Sequence, residues 1–241
     1  MIYLLYDDGS RSERVILNEL GSCKGIIQSD GYSPYRKLES FAYPHITRIP
    51  CLQHIKRKFI DCGEDEPDAK RIVELINALY QNEHKHKVGV EGWTVEQNLM
   101  HRKKYAPDIL GEIKDVLDEI EERGDLLPKS ELQEAITYLR NEWNAVVDIF
   151  NYGDTYLDNN MVERMNRYIS LSRKNSLFFG SHKGAERGAI LYTIALTCRM
   201  HKVNLFEYLT DVINRTAEWQ PNTPIEKYRE LLPDRWEKAN D

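Results

Sequence analysis

Two acidic residues, Asp30 and Glu163, occupy positions where a carboxylate can bind a ligand or take part in catalysis. Asp30 follows the apolar segment 25–29 and precedes Gly31, so we expect it at the carboxyl end of a strand, where parallel α/β sheets bind ligands. Glu163 follows Asn159 and Asn160 and lies in the first turn of an expected helix. Each acid also has a plain structural interpretation, because Asp-Gly is a common turn pair and a helix dipole stabilises an acid near its N-terminus. Taken singly, neither residue identifies a reaction.

Cys51 and His54 form a Cys-x-x-His pair with metal-binding atoms. Such a pair supplies two zinc ligands, whereas a complete zinc site needs about four. Cys23, His45 and Cys62 are the candidates to complete it, but they form no second pair with regular spacing. We therefore expect a structural or substrate-orienting role for Cys51 and His54, and we do not expect zinc.

Basic residues form a further set of candidates. The formal net charge of the 241-residue chain is −6, yet residues 160–188 hold six Lys and Arg against two acids. Local charge, more than the total, attracts phosphate. The alternative is an ordinary surface helix with a salt bridge, because Arg167 follows Glu163 at i+4. The candidate phosphate-binding residues are Arg57, Lys58, Arg164, Arg167, Arg173, Lys174, Lys183 and Arg187.

The composition restricts the class of protein. Hydrophobic residues make up 41% of the chain and charged residues 30%, which is typical of a folded globular protein. No apolar run approaches the roughly 18–20 residues of a membrane helix, and Ile2–Tyr6 is too short for a signal peptide. Four irregularly spaced cysteines do not form a disulfide framework in a chain of this size. We expect a cytoplasmic protein without membrane association.

The N-terminal pattern alternates between strands and helices. Apolar runs bounded by turn residues predict strands at 2–6, 25–29 and 45–50. Helical spacing predicts short helices between and after them, at 11–20, 33–40 and 51–61. This alternation predicts parallel strands joined by crossovers in an α/β layer.

The rest of the chain shows helical periodicity. Apolar spacing predicts a helical block with separate helices at 68–80, 96–105, 108–122 and 130–150. The Asp158–Asn160 cluster of N-cap residues opens a helix that ends near residue 170. Two more helices are predicted at 184–201 and 205–217. The tail after Trp219 contains Pro221, Pro224 and Pro233, and we expect it to wrap the surface.

Several of these segments, taken together and in order, resemble one family closely. They span nearly the whole chain, and their combination is far more specific than any single segment. The family is the insertion-sequence-66 family of bacterial transposases. The matching segments are 28–35, 51–59, 127–130, 135–139, 158–164, 172–181, 184–187 and 230–233.

The resemblance implies a fold and a division of the chain. The expected class is α/β (α+β): an incomplete ribonuclease-H-like fold with a large all-helical insertion and a helical C-terminal part. Residues 1–66 would form the N-terminal part of the catalytic core and 67–155 the insertion. Residues 156–203 would supply the core helices that carry Glu163, and 204–241 the last helix and the tail.

The resemblance also implies a reaction. Asp30 and Glu163 match the second and third acids of the family's Asp-Asp-Glu triad, whose carboxylates hold two Mg²⁺ (or Mn²⁺) ions for DNA strand cleavage and transfer. The implied partner is double-stranded DNA, both transposon ends and target, and a homo-oligomer on DNA is compatible with this assignment. The expected location is the bacterial cytoplasm, at the nucleoid when the protein is bound to DNA.

The chain departs from the family pattern at its N-terminus. The family's first acid lies on the first strand, upstream of any residue here, and the segment 2–6 matches the third strand. The expectation is therefore a truncated and impaired copy that does not cleave or join DNA alone. The alternatives are a non-catalytic DNA-binding or regulatory remnant and a helical protein-interaction domain in which Asp30 and Glu163 serve as a turn residue and a cap.

Overall fold

A computed structural model describes residues 1–10, 12–85 and 92–237. The chain forms two compact units. We call Ser12–Asn160 the sheet-bearing unit, and Met1–Arg11 together with Met161–Asp241 the terminal unit. The first residues thus pack with the C-terminal helices, whereas the family resemblance places them beside the strands of the catalytic core.

In the part of the chain that the structure describes, the sheet-bearing unit has two parallel strands. β1 (Gly25–Ser29) pairs with β2 (Ile46–Pro50), with Gly25 opposite Ile46 and Ser29 opposite Pro50. The connection between them holds the short helix α2 (Ser33–Arg36) and one 3₁₀ turn. The predicted strands at 25–29 and 45–50 and their parallel pairing are confirmed. Because both strands end at the same edge, Asp30 and Cys51 follow neighbouring strand ends.

Helices cover this small sheet. α1 (Glu13–Leu20) precedes β1, and α3 (Leu52–Asp61) begins directly after β2. Three longer helices follow, α4 (Pro67–Lys85), α5 (Val95–Arg123) and α6 (Glu131–Ile149). These three correspond to the predicted helical block, which is confirmed in its helical character.

The prediction of two helices at 96–105 and 108–122 is wrong, because α5 runs through Pro107 as one helix. A proline in a helix interior removes one backbone hydrogen bond and usually ends or kinks the helix. Here the buried stripe continues on both sides of it, with Ala106 before and Leu110 and Ile113 after. The burial of this stripe offsets the lost hydrogen bond.

One apolar core holds the sheet-bearing unit together. The end of β2 and four helices contribute to it, with Leu52, Phe59, Ile72 and Leu117 each at most 1% exposed. Burial of a side chain of this size stabilises the fold by about 1.5–3 kcal/mol. The core therefore fixes α6 against β2 and α3.

Among its described residues, the terminal unit holds α7 (Asn160–Ser172, from its second residue on), α8 (His182–Met200), α9 (Leu205–Ala217) and α10 (Ile225–Glu230). Ser181 caps α8, where its hydroxyl accepts the N–H of Gly184 at 3.0 Å. The tail is tied to α9, since Tyr208 donates to the carbonyl of Leu231 at 2.8 Å. The three predicted helices after residue 158 are confirmed.

The predicted strand at residues 2–6 is wrong. This segment is extended and alternates between exposed and half-buried residues, but no described strand pairs with it. Instead, the N–H groups of Ile2 and Leu4 donate to the hydroxyls of Thr197 and Thr193 on α8, at 3.1 and 3.0 Å. Side-chain hydroxyls one helical turn apart thus replace the ladder partner that a strand requires.

Candidate active site

Asp30 sits in a tight turn at the end of β1. The backbone N–H of Tyr32 donates to Asp30 Oδ1 at 3.1 Å, and the hydroxyl of Ser29 donates to the carbonyl oxygen of Asp30 at 2.9 Å. Ser29 is buried and Asp30 is half-buried. These bonds fix both the backbone and the carboxylate of Asp30 at the strand end.

Aromatic hydroxyls surround this turn. Burial, together with the charge of Asp30, raises the pKa of Tyr35. Burial also raises the pKa of Tyr138 to about 12, with further contributions from the charges of Glu142 and Asp30. Both phenols therefore stay protonated at neutral pH, and their protons are available as hydrogen-bond donors near a carboxylate.

A buried ion network lies behind the turn. Arg48 and Glu142 are both buried, and Arg48 donates to Glu142 and to Glu39. Arg36 Nε lies 2.8 Å from the second oxygen of Glu142. Burial lowers the pKa of Arg48, but its bonds to Glu142 and Glu39 outweigh this effect and raise it above its ordinary value. The arginine therefore stays charged inside the protein.

The segment that leads into α7 is anchored at the same sheet edge. The side chain of Gln28 donates to the carbonyl of Tyr156 at 2.8 Å, and the N–H of Leu52 donates to the carbonyl of Leu157 at 2.9 Å. Asp158 Oδ1 accepts the N–H of Asn160 at 3.0 Å. Gln28 of β1 and Leu52 just after β2 thus hold Tyr156 and Leu157, a few positions before Glu163 in the sequence.

Cys51 occupies the position just before α3, beside this segment. It is buried, and burial raises the pKa of its thiol, although a backbone hydrogen bond from Asn159 acts in the opposite direction. A protonated, buried thiol is a poor metal ligand. Cys62 lies at the other end of α3, about 16 Å away along the helix axis. These contacts favour the expected structural role for Cys51.

Glu163 occupies the first turn of α7 and is half-buried. The positive end of the helix dipole stabilises a carboxylate there. Asp30 belongs to the sheet-bearing unit and Glu163 to the terminal unit, so their convergence on one cation stays a prediction. Within the described residues, no three His, Cys, Asp or Glu side chains are grouped so that they could hold a metal ion.

The predicted phosphate-binding residues share one property, which is that all of them are exposed. Arg57 and Lys58 lie on α3 of the sheet-bearing unit. The other six lie on the terminal unit, along α7, in the loop after it and on the first turns of α8. Exposed guanidinium and ammonium groups are accessible to phosphate oxygens.

Sequence reasoning missed Arg48, Tyr138 and Glu142. A signal for Glu142 was present, because it falls on the apolar stripe of α6 between Leu139 and Val146, where an exposed acid is not expected. Arg48 likewise stands between apolar residues in β2. No local pattern indicated that these two charges pair, because 94 positions separate them in the chain.

The sequence matches a known protein family. The profile described as "Transposase IS66 family" matches residues 1–187. The chain is 29% identical over 234 residues to the uncharacterized protein y4jD of Sinorhizobium fredii, covering 94% of this chain and 44% of the relative. A second protein of that organism, y4hP, is 29% identical over 233 residues, covering 90% of this chain and 40% of the relative. The chain thus spans less than half the length of these relatives.

No solved structure matches the chain significantly. Within the described ranges, no helix combines the length and the apolar composition needed to cross a membrane.

Proposed function

Because the chain belongs to the Transposase IS66 family, we propose that it forms part of the catalytic region of an Asp-Asp-Glu DNA transposase with a ribonuclease-H-like core. Its reaction would be metal-dependent cleavage and transfer of DNA strands during movement of an insertion sequence. Its setting would be the bacterial cytoplasm, on the nucleoid, with several copies assembling on DNA.

One observation carries the proposal: the position of Asp30 at the end of a parallel strand pair. Ligands of open parallel sheets gather at this edge, and the Asp30 carboxylate is oriented there by the Tyr32 N–H. Tyr156 and Leu157, which precede Glu163 in the sequence, are bonded to Gln28 of β1 and to Leu52 just after β2. The proposal is that Glu163 meets Asp30 at that edge.

The donor chemistry fits a hard divalent cation. Asp30 and Glu163 offer carboxylate oxygens, the ligands that Mg²⁺ and Mn²⁺ prefer. When bound, such cations supply activation of the attacking hydroxyl and stabilisation of the leaving oxygen. The family pattern requires a third acid besides these two.

The remaining residues would bind and orient DNA. Arg167 follows Glu163 at i+4 and lies on the same face of α7, and Arg164 lies one turn before Arg167 at the edge of that face. Arg173 and Lys174 continue this basic surface in the loop after α7. Neutralised phosphates would place a strand against the carboxylates without base-specific contacts.

A double-mutant cycle tests the shared cation. Asp30→Asn, Glu163→Gln and the double variant are compared for Mn²⁺ binding, which is measured from the free-ion electron paramagnetic resonance signal. If both acids bind one ion, each single variant weakens binding about tenfold, and the double variant adds little more. Glu186→Gln, an exposed acid on α8, is the control. Additive losses in the double variant would contradict a shared site.

A second candidate is a DNA-binding protein without strand-transfer activity. The exposure of all eight candidate bases favours DNA binding independently of the carboxylates. In both candidates, replacing Arg173 and Lys174 by Gln lowers the slope of log affinity against log salt by about 1.8 on a duplex probe. The matched control replaces the exposed Lys227 and Arg229 of α10. The Mn²⁺ cycle separates the two, since only the transposase candidate requires a shared cation.

A further inference from the structure

We infer that Tyr138 and Glu142 of helix α6 are positioning residues for Asp30, so that the helical insertion takes part in building the cation site. This inference rests on the proposed function, because it gives Asp30 the role of a metal ligand. Both residues and Asp30 lie in the sheet-bearing unit. Each of the two residues reaches the turn Ser29–Tyr32 through a separate contact.

The first contact is between Tyr138 and Gly31. A Cβ atom at Gly31 would lie 2.0 Å from the Tyr138 hydroxyl oxygen and 2.5 Å from the ring, far inside van der Waals distance. The Gly31 N–H also bonds to this hydroxyl and partly offsets the raised pKa of Tyr138. The residue after Asp30 must therefore be glycine here, since only glycine lets the tyrosine close on the turn.

The second contact runs from Glu142 through Arg48 to the turn. Arg48 donates to Glu142 and also, through Nη1 at 3.3 Å, to the hydroxyl of Ser29. That hydroxyl in turn donates to the carbonyl of Asp30 at 2.9 Å. A continuous series of hydrogen bonds therefore links the buried carboxylate of α6 to the backbone of Asp30.

Helix α6 is a rigid support for both contacts. Tyr138 and Glu142 are four positions apart and share one face of the helix. Leu139, Ile136 and Val146 anchor this helix in the apolar core, at most 3% exposed. A functional carboxylate must be held within about 0.5 Å of its productive position. A turn bonded on two sides to a core helix meets this requirement better than a free loop.

The test compares the Mn²⁺ affinity of the full chain with that of its Tyr138→Phe variant. This variant keeps the ring and removes the hydroxyl that contacts Gly31. We expect the Mn²⁺ dissociation constant to rise about tenfold. The matched control is Tyr105→Phe, which removes a hydroxyl bonded to Glu83 at 2.6 Å in the same unit. The control should shift the thermal midpoint similarly and leave Mn²⁺ affinity unchanged.

A second pair of variants covers the ion network. Glu142→Gln breaks the buried pair with Arg48, and Glu83→Gln breaks the pair with the buried Arg102. Both should lower the thermal midpoint. Only Glu142→Gln should also weaken Mn²⁺ binding about tenfold, because Arg102 bonds to the carbonyls of Ile149 and Thr155 and not to the turn.

The outcomes separate this inference from the proposed function. If Asp30→Asn leaves Mn²⁺ binding unchanged, the proposed cation site fails, and the inference fails with it. If Asp30→Asn weakens binding while Tyr138→Phe and Glu142→Gln behave like their controls, only the positioning role is overturned. If Glu142→Gln does not fold, Tyr138→Phe alone decides. Selective loss of Mn²⁺ affinity in the α6 variants supports the inference.

Discussion

The sheet-bearing unit and the terminal unit differ in where they place their charges. The first buries Arg48, Arg102 and Glu142 inside hydrogen-bonded networks. The second keeps its six candidate phosphate-binding residues exposed, and α7 buries no residue at all, whereas α6 buries eight. The sheet-bearing unit thus uses some of its charges as buried, hydrogen-bonded contacts, whereas the candidate bases of the terminal unit are all surface charges.

This difference in burial predicts how amino-acid substitutions in the two units affect stability. A buried ion network is costly to break, because removing one partner leaves the other charged and desolvated. An exposed charge is solvated in either state and adds little to stability. Substitutions of the buried charges in the sheet-bearing unit should therefore act on folding, and substitutions of the exposed bases in the terminal unit on DNA binding.

The largest expected effect is that of Arg102→Ala. Arg102 is fully buried and bonds to both oxygens of Glu83, to Thr155 and to main-chain carbonyls. Its removal leaves Glu83 and these carbonyls without their partner, so the free energy of unfolding should fall by about 3–5 kcal/mol. Urea denaturation followed by circular dichroism measures this loss.

The control for Arg102→Ala is Lys104→Ala, an exposed base on the same helix. It should change the free energy of unfolding by less than about 0.5 kcal/mol. Hydrogen exchange resolved by peptide should localise the loss in Arg102→Ala to the sheet-bearing unit. A loss below about 1 kcal/mol would contradict the contrast between the units.

A smaller effect is expected from removing apolar volume. Leu117 on α5 is 0% exposed and packs in the single core of the sheet-bearing unit. Leu117→Ala should cost about 3 kcal/mol, as deletions of fully buried leucines do. The same change at Leu191, which is 60% exposed on α8, should cost under about 1 kcal/mol. Equal losses in thermal or urea unfolding would show that Leu191 is packed as tightly as Leu117.

Sequence patterns identified features that local spacing determines. The strands 25–29 and 46–50 follow from short apolar runs bounded by turn residues, and helix α6 follows from its apolar stripe after the Ser130 cap. The pattern at 2–6 is equally apolar, yet the segment bonds to hydroxyls of α8 about 190 positions away. Local spacing cannot indicate which distant partner a segment finds.

The candidate site also has parts that local sequence predicts and parts that it does not. Asp30 was identified because a strand end and a glycine mark it in the sequence. The contacts of Tyr138 and Glu142 with its turn were not predicted. Contacts between a turn and a helix more than 100 positions later depend on tertiary packing. Likewise, α5 continues through Pro107 because of tertiary burial, and intrinsic helix propensities do not include tertiary burial.

The smallest expected effect concerns tyrosine ionisation, which also distinguishes the units. Burial is the main cause that raises the pKa of Tyr80, Tyr105 and Tyr138 in the sheet-bearing unit and of Tyr208 in the terminal unit. A raised pKa in the folded state stabilises the fold fully below the unfolded value of about 10. This stability is lost as the pH rises toward the folded value. Alkaline pH should therefore weaken the sheet-bearing unit more.

Tyr208→Phe isolates one of these groups. Burial raises the pKa of Tyr208 to about 12, assisted by the charges of Cys198 and Asp234. At pH 8 the variant loses the hydrogen bond to Leu231 and should be about 1 kcal/mol less stable. At pH 11 the wild type has lost about 1.4 kcal/mol through this tyrosine, whereas the variant has no such loss, so the difference should approach zero.

The measurement is urea denaturation at pH 8 and pH 11, with hydrogen exchange to assign the loss to the terminal unit. Tyr228→Phe, an exposed tyrosine of that unit, is the control and should change stability by less than about 0.5 kcal/mol at pH 8. If Tyr208→Phe is equally destabilised at both pH values, the Tyr208 hydroxyl is not held in its protonated form by burial. The terminal unit would then lack a buried, protonated phenol between α9 and the tail.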